Sequence, residues 1–134
     1  SLLPVYSHGA LADSDSHSPR LLSSDNLKRL RALGGLVGLT PAPPFHPSLD
    51  AFRAGIESVA ASPFLGTPGH AGIGIGTDIL GVAALVPGLK NVSDLIAWVI
   101  ATYEPSTAHA LLHGNARGLL QAAVGVGGPG PVEM

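Results

Sequence analysis

His8, Arg20 and Asp78 are the side chains whose types and placement suit chemistry at a shared rim. A neutral histidine ligates metals, an arginine forks a carboxylate, and an aspartate takes a proton or holds a nucleophilic water. Each has a blander reading when taken singly. His8 reads as a hydrogen-bonded loop histidine, Arg20 as a solvated loop cation, and Asp78 as an acid that starts a turn. Together they gain force, because His8 and Asp78 each lie at the carboxyl end of a segment that reads as a strand and Arg20 lies in the long loop that follows the first. If those strands are parallel, His8 and Asp78 converge at one mouth, with the Arg20 loop at the same rim.

The segments that must position them are short and apolar. Residues 3–8 read as a strand ending at His8, and residues 9–22 as a polar loop that carries Arg20. Ser23, Ser24 and Asp25 offer N-cap chemistry, and Leu27, Leu30 and Leu33 follow at helical spacing with Lys28, Arg29 and Arg31 between them. Gly34 and Gly35 end that helix. Residues 36–40 form a second strand, closed by Pro41 and a stiff loop with four prolines between 41 and 47. Ser48 caps a helix with Leu49, Phe52, Ile56 and Val59 on one face.

Residues 71–77 form the third strand, with Gly72, Gly74 and Gly76 alternating with isoleucine before Asp78. Glycine packs nothing in a strand, so this pattern suits a place where backbone or ligand approaches closely. Asn91 or Ser93 caps a helix carrying Leu95, Ile96, Val99 and Ile100. Pro105 begins another, which Gly114-Asn115 interrupts before a last helix over 116–124. Residues 125–134 are a Gly/Pro-rich tail expected to fray. Strand, helix, strand, helix, strand and helices argue parallel βαβ units, over residues 1–124, with open edges.

Composition excludes several classes. The chain has 134 residues, a net charge of −2 and no cluster of Lys and Arg, so it is not an electrostatic nucleic-acid binder. It has no cysteine, hence no disulfide, thiolate metal site or cysteine nucleophile. No apolar run reaches the roughly 18 residues that a membrane helix needs. The chain starts at Ser1, in effect inside a strand and without a basic leader, and reads as a processed or truncated product.

The other histidines are weaker candidates. His17 sits among Asp13 and Asp15 in a loop, His46 in the proline loop where it would line a pocket, and His70 at the strand end opposite Asp78, in a structural role. His109 and His113 are i, i+4 on a helix, a spacing that binds zinc, but no Glu follows His109 and the plainer reading is two surface histidines. The glycines of 72–76 lie within a strand and lack dinucleotide-loop spacing.

Taken in order, these pieces resemble the renal (membrane) dipeptidase family. The matching segments are Pro4-Val5-Tyr6-Ser7-His8, His17-Ser18-Pro19-Arg20, Gly34-Gly35-Leu36-Val37-Gly38 and His70-Ala71-Gly72-Ile73-Gly74-Ile75-Gly76-Thr77-Asp78. Gly88-Leu89-Lys90-Asn91-Val92-Ser93-Asp94-Leu95 and His113-Gly114-Asn115-Ala116-Arg117 resemble two closing segments. The resemblance implies a (β/α)8 barrel related to the amidohydrolases, of which this chain is the C-terminal portion with about three parallel strands. It implies a two-zinc site and dipeptide hydrolysis, with water attacking a polarised carbonyl. It makes His8 a metal ligand, Arg20 the grip on the substrate's terminal carboxylate, and Asp78 the group that manages the proton.

The departures bear on activity. The early metal ligands of the family have no counterparts here. The family's Asp-Phe-Asp-Gly stands as Asp78-Ile79-Leu80-Gly81, and its Arg-Asn pair as Arg20-Leu21. One histidine does not hold two zinc ions, so this chain alone is expected to be inactive. A second chain, or a missing N-terminal region, would supply the remaining ligands. The alternatives are a non-catalytic structural or assembly subunit derived from the same barrel, and a small βαβ binding domain.

Overall fold

A computed structural model describes residues 3–12, 20–78 and 84–124. Three parallel strands form one sheet in the order β1 (Val5–Tyr6), β2 (Leu36–Leu39), β3 (Ile73–Ile75). Val5 pairs with Leu36, and Val37, Gly38 and Leu39 pair with Ile73, Gly74 and Ile75. Each strand is shorter than its apolar segment. The expected α/β architecture, a partial barrel of three parallel strands with intervening and C-terminal helices, is present.

The helices between the strands form where the caps lie. Ser23 accepts from the Asn26 N–H and starts α1 (Ser24–Ala32), and Ser48 accepts from the Ala51 N–H and starts α2 (Leu49–Ala61). Helix α1 closes with Gly34 at φ +78°, whose N–H bonds the Arg31 carbonyl while Gly35 bonds that of Leu30. Alternation along β2 and β3 sorts their side chains onto two faces. Val37, Leu39 and Ile73 are fully buried and share one core with Leu27 and Leu30 of α1 and Phe52, Ile56 and Val59 of α2.

The other face carries Leu36, Gly38, Gly74 and Gly76. A Cβ on Gly74 would lie 3.6 Å from the Leu36 side chain. After β3, Asn91 accepts from the Asp94 N–H while the Asp94 carboxylate accepts from the Lys90 N–H at 2.8 Å, and this reciprocal cap starts α3 (Val92–Thr102).

The last helical run departs from the sequence reading. Helix α4 (Pro105–His109) starts at proline as expected, but Gly114-Asn115 does not break it. A π-helical turn over Ala110–Gly114 joins it to α5 (Asn115–Ala123), and Gly114 and Asn115 both have helical torsions. Such a turn adds a residue and shifts the register of the helix beyond it. Asn115 is the first residue after it, and its Nδ2 donates to the carbonyls of His70 at 2.7 Å and Ile73 at 2.8 Å. The asparagine thus ties the helix to the foot of β3 instead of ending it. No helix of the described residues is long and apolar enough to cross a membrane. The expected fraying tail, 125–134, lies outside the described residues.

Candidate functional site

His8 follows β1 by two residues, and Asp78 follows β3 by three. These strands are not neighbours, since β2 lies between them. The tail of β1 reaches β3 by crossing close over β2. A Cβ on Gly38 would lie 2.3 Å from the Ser7 carbonyl oxygen, and one on Gly76 would lie 2.0 Å from the same atom and 2.9 Å from the His8 Cβ. The glycines at 38 and 76 therefore allow the crossing, and the close approach anticipated from the glycine row is made by the chain's own backbone.

The crossing brings His8 Nε2 to 3.7 Å from Asp78 Oδ2, with both side chains partly open to solvent. Asp78 has φ +47°, a left-handed conformation that aspartate tolerates better than most residues. On the other ring nitrogen, His8 Nδ1 lies 2.9 Å from Ser7 Oγ. If Nδ1–H donates to the serine oxygen, Nε2 keeps a lone pair for a metal. If the serine hydroxyl donates, Nε2 carries the proton toward Asp78.

Buried polar contacts beneath the rim hold it in place. Thr40, at the end of β2, is fully buried and donates through Oγ1 to the Gly76 carbonyl at 2.7 Å, while the Gly76 N–H bonds the Leu39 carbonyl. The Thr40 carbonyl accepts from His46 Nδ1–H at 2.7 Å. His46, expected to line a pocket, is buried and bonded to the backbone. It is buried with its ring edge-on to Phe52 and its Nε2 side against Gly55, and burial pulls its pKa below the ordinary histidine value. The missing side chain at Gly55 makes room for it and the Thr40 carbonyl satisfies it, and neither residue is adjacent in sequence.

Arg20 lines a pocket with Leu21, Pro44 and Phe45. Its backbone is fixed by Tyr6, whose hydroxyl donates to the Arg20 carbonyl at 2.6 Å and accepts from the Ala10 N–H at 3.2 Å. Burial raises the pKa of that phenol, which suits its role as a donor. Sequence reading missed Tyr6 as the clamp on the His8-to-Arg20 loop. Its place two residues before His8 was the available signal.

The remaining histidines fall as expected where the structure describes them. His70 is bonded to Glu57 at 2.9 Å at the foot of the sheet, opposite Asp78. His17, Asp13, Asp15, Ile79 and Leu80 lie outside the described residues. Among the described residues no three His, Asp or Glu side chains gather in a way that could hold a metal. His8 and Asp78 offer one imidazole nitrogen and one carboxylate, which fits part of a zinc shell and leaves a four-coordinate site incomplete.

No family model matches the chain, and no curated protein matches it. Solved structures do match. A metallopeptidase described as a dipeptidase superimposes with a TM-score of 0.73 at 23% identity, over 89% of this chain and 37% of its own. A metallopeptidase from Rhodobacter sphaeroides, bound to a phosphinate mimic of the dipeptide L-Ala-D-Ala, gives 0.72 at 22% identity, over 89% and 36%. An amidohydrolase from Pseudomonas aeruginosa gives 0.69 at 21% identity, over 90% and 46%. The chain has the fold of part of a dipeptidase-type α/β barrel. It spans less than half the length of each of these structures. The likeness read from the motifs and the likeness of the folds agree.

Proposed function

We propose that this chain is the C-terminal portion of a zinc-dependent dipeptidase and supplies part of an active site that other strands complete. The observation that carries this reading is the approach of His8 to Asp78 at the carboxyl ends of parallel strands, where α/β barrels do their chemistry. His8 would ligate zinc through Nε2, with Nδ1–H held by Ser7 Oγ. Zinc, when bound, supplies Lewis acidity that polarises a peptide carbonyl. Asp78 holds the attacking water's proton and passes it to the leaving amine. Arg20 forks the terminal carboxylate of the dipeptide.

The remaining metal ligands come from a second polypeptide or from sequence that precedes this chain. The experiment combines the chain with a polypeptide carrying the missing strands, in the presence of zinc and L-Ala-D-Ala. Native mass spectrometry should then find a second polypeptide and two metal ions, and dipeptide should be hydrolysed. Arg20→Ala should raise KM sharply in that assembly. The second reading, a non-catalytic assembly subunit, is favoured by the incomplete donor set among the described residues. It requires the complex to form with no activity and with no response to Arg20→Ala. A metal-free monomer that binds no second polypeptide overturns the catalytic reading.

A further inference from the structure

We infer that His109 and His113 form a two-point chelate for a divalent transition ion, zinc being the simplest case, on the outer face of the last helical run. The two imidazoles are in contact, with ring centroids 3.9 Å apart and planes at 70°. Both side chains are exposed, and among the described residues neither ring is claimed by a hydrogen bond or an ion pair. Two unpartnered imidazoles held together in water leave two nitrogen lone pairs on one side of a helix. That is the donor set which imidazole-binding metals prefer.

The local backbone keeps the rings together. His109 ends α4, and His113 lies within the π-helical turn of Ala110–Gly114, so the pair straddles the widened turn. The Cδ2–Nε2 edge of His109 lies over Gly114, where a Cβ would come within 3.0 Å of Cδ2 and 3.3 Å of Nε2. Gly114 therefore lets the His109 ring lie down toward His113. The ring contact across this turn puts both imidazoles on one face, so the spacing is fixed by the fold before any metal arrives. Two protein nitrogens fill half of a tetrahedral shell, and water completes it. This site is separate from the rim of His8 and Asp78 and does not depend on the dipeptidase reading.

The test is zinc chloride titrated into the chain, followed by calorimetry and by imidazole NMR signals. The expected result is a zinc-dependent shift of the His109 and His113 resonances together. His109→Gln and His113→Gln, which keep the helix polar and exposed, should each weaken that binding by about tenfold or more. Lys28→Gln, an exposed change on α1, should leave it unchanged. Zinc should also raise the melting temperature of the parent chain but not that of His109→Gln, because the unfolded chain does not hold the spacing. Zinc affinity that survives both glutamine variants, or that disappears with Lys28→Gln, overturns the proposal. So does an absence of imidazole shifts at millimolar zinc.

Discussion

At the amino-terminal end of the sheet the guanidinium of Arg31 is fully buried and donates to the carbonyls of Ser62 at 2.6 Å, Ala71 at 2.6 Å and Gly69 at 2.9 Å. At the carboxyl end His8 and Asp78 face each other at 3.7 Å, with 45% and 35% of their side chains in solvent. The same three strands thus end in opposite kinds of polar chemistry. The foot uses its charged group's hydrogen-bonding capacity internally, with carbonyls standing in for water around Arg31 and the Phe64 ring 5.5 Å from its guanidinium carbon. His8 and Asp78, by contrast, keep hydrogen-bonding capacity open among the described residues. A barrel that separates stability from chemistry is expected to divide its ends in this way.

The largest effect should come from attacking the foot. Arg31→Met keeps much of the volume but strips the carbonyls of 62, 69 and 71 of their donor. Unpaired buried acceptors cost about 1–3 kcal/mol each, so the variant should lose about 3 kcal/mol or more in urea unfolding. His8→Ala should stay within about 0.5 kcal/mol of the parent, as an exposed substitution does. Equal losses at the two ends would erase the distinction between them.

The next effect tests whether the mouth is assembled by glycine. Gly76→Ala puts a methyl 2.0 Å from the Ser7 carbonyl oxygen, a backbone atom that does not rotate away. Overpacking of this kind costs about 1–3 kcal/mol, and the strain should lift His8 off Asp78. In the parent chain Asp78→Asn should move the His8 imidazole resonances. In the Gly76→Ala background that response should vanish, and its persistence would show that the crossing tolerates a side chain.

The two ends also differ in how far they were legible beforehand. The cap at Ser48, the proline start at Pro105 and the three strands, though shorter than read, follow from local patterns; those patterns left the other two caps open among Ser23, Ser24 and Asp25 and between Asn91 and Ser93, and the structure uses Ser23 and Asn91. His8 and Asp78 were legible because a parallel sheet gathers its strand ends. Arg31 was not. It sits between leucines at helical spacing with Lys28 and Arg29, where a solvated cation is the natural reading. Its partners come from residues 62 to 71, and nothing local to α1 announces them. The burial of His46 was hidden for the same reason, since the acceptor and the glycine it packs against lie at β2's end and on α2. The π turn escaped because Gly114 and Asn115 are breakers by local rule, and only the carbonyls of His70 and Ile73 explain their helical torsions.

His46 gives the mouth a pH dependence. Its folded-state pKa is lowered by burial from the ordinary 6.5, against the opposing pull of the Thr40 carbonyl. The unfolded chain therefore takes up the proton first as pH falls. The stabilisation by neutral His46 is present above 6.5 and is lost as pH drops from there through the lowered value. The unfolding free energy from urea titrations should fall between neutral pH and mild acid, by at most about 1.4 kcal/mol per pH unit from this group. His46→Gln should flatten that part of the profile, and an unchanged profile would assign the dependence to other groups.

The smallest effect lies at the foot and is spectroscopic. Tyr103 donates to Glu57 Oε2 at 3.1 Å, the same oxygen that His70 Nε2 reaches at 2.9 Å. Burial first, then the Glu57 carboxylate, push the phenol up to about 12, with Arg53 near its ring pulling the other way. The chain has two tyrosines, so tyrosinate absorbance on a Tyr6→Phe background reports Tyr103 alone. Its midpoint should sit well above the ordinary 10.0, and Glu57→Gln should bring it down by removing the negative charge while leaving the burial. A raised folded-state value means that the stabilisation is complete below 10.0 and fades as pH rises through about 12. If Glu57→Gln leaves the midpoint in place, burial alone sets it, and the foot is a dry interface instead of a charge-organised one.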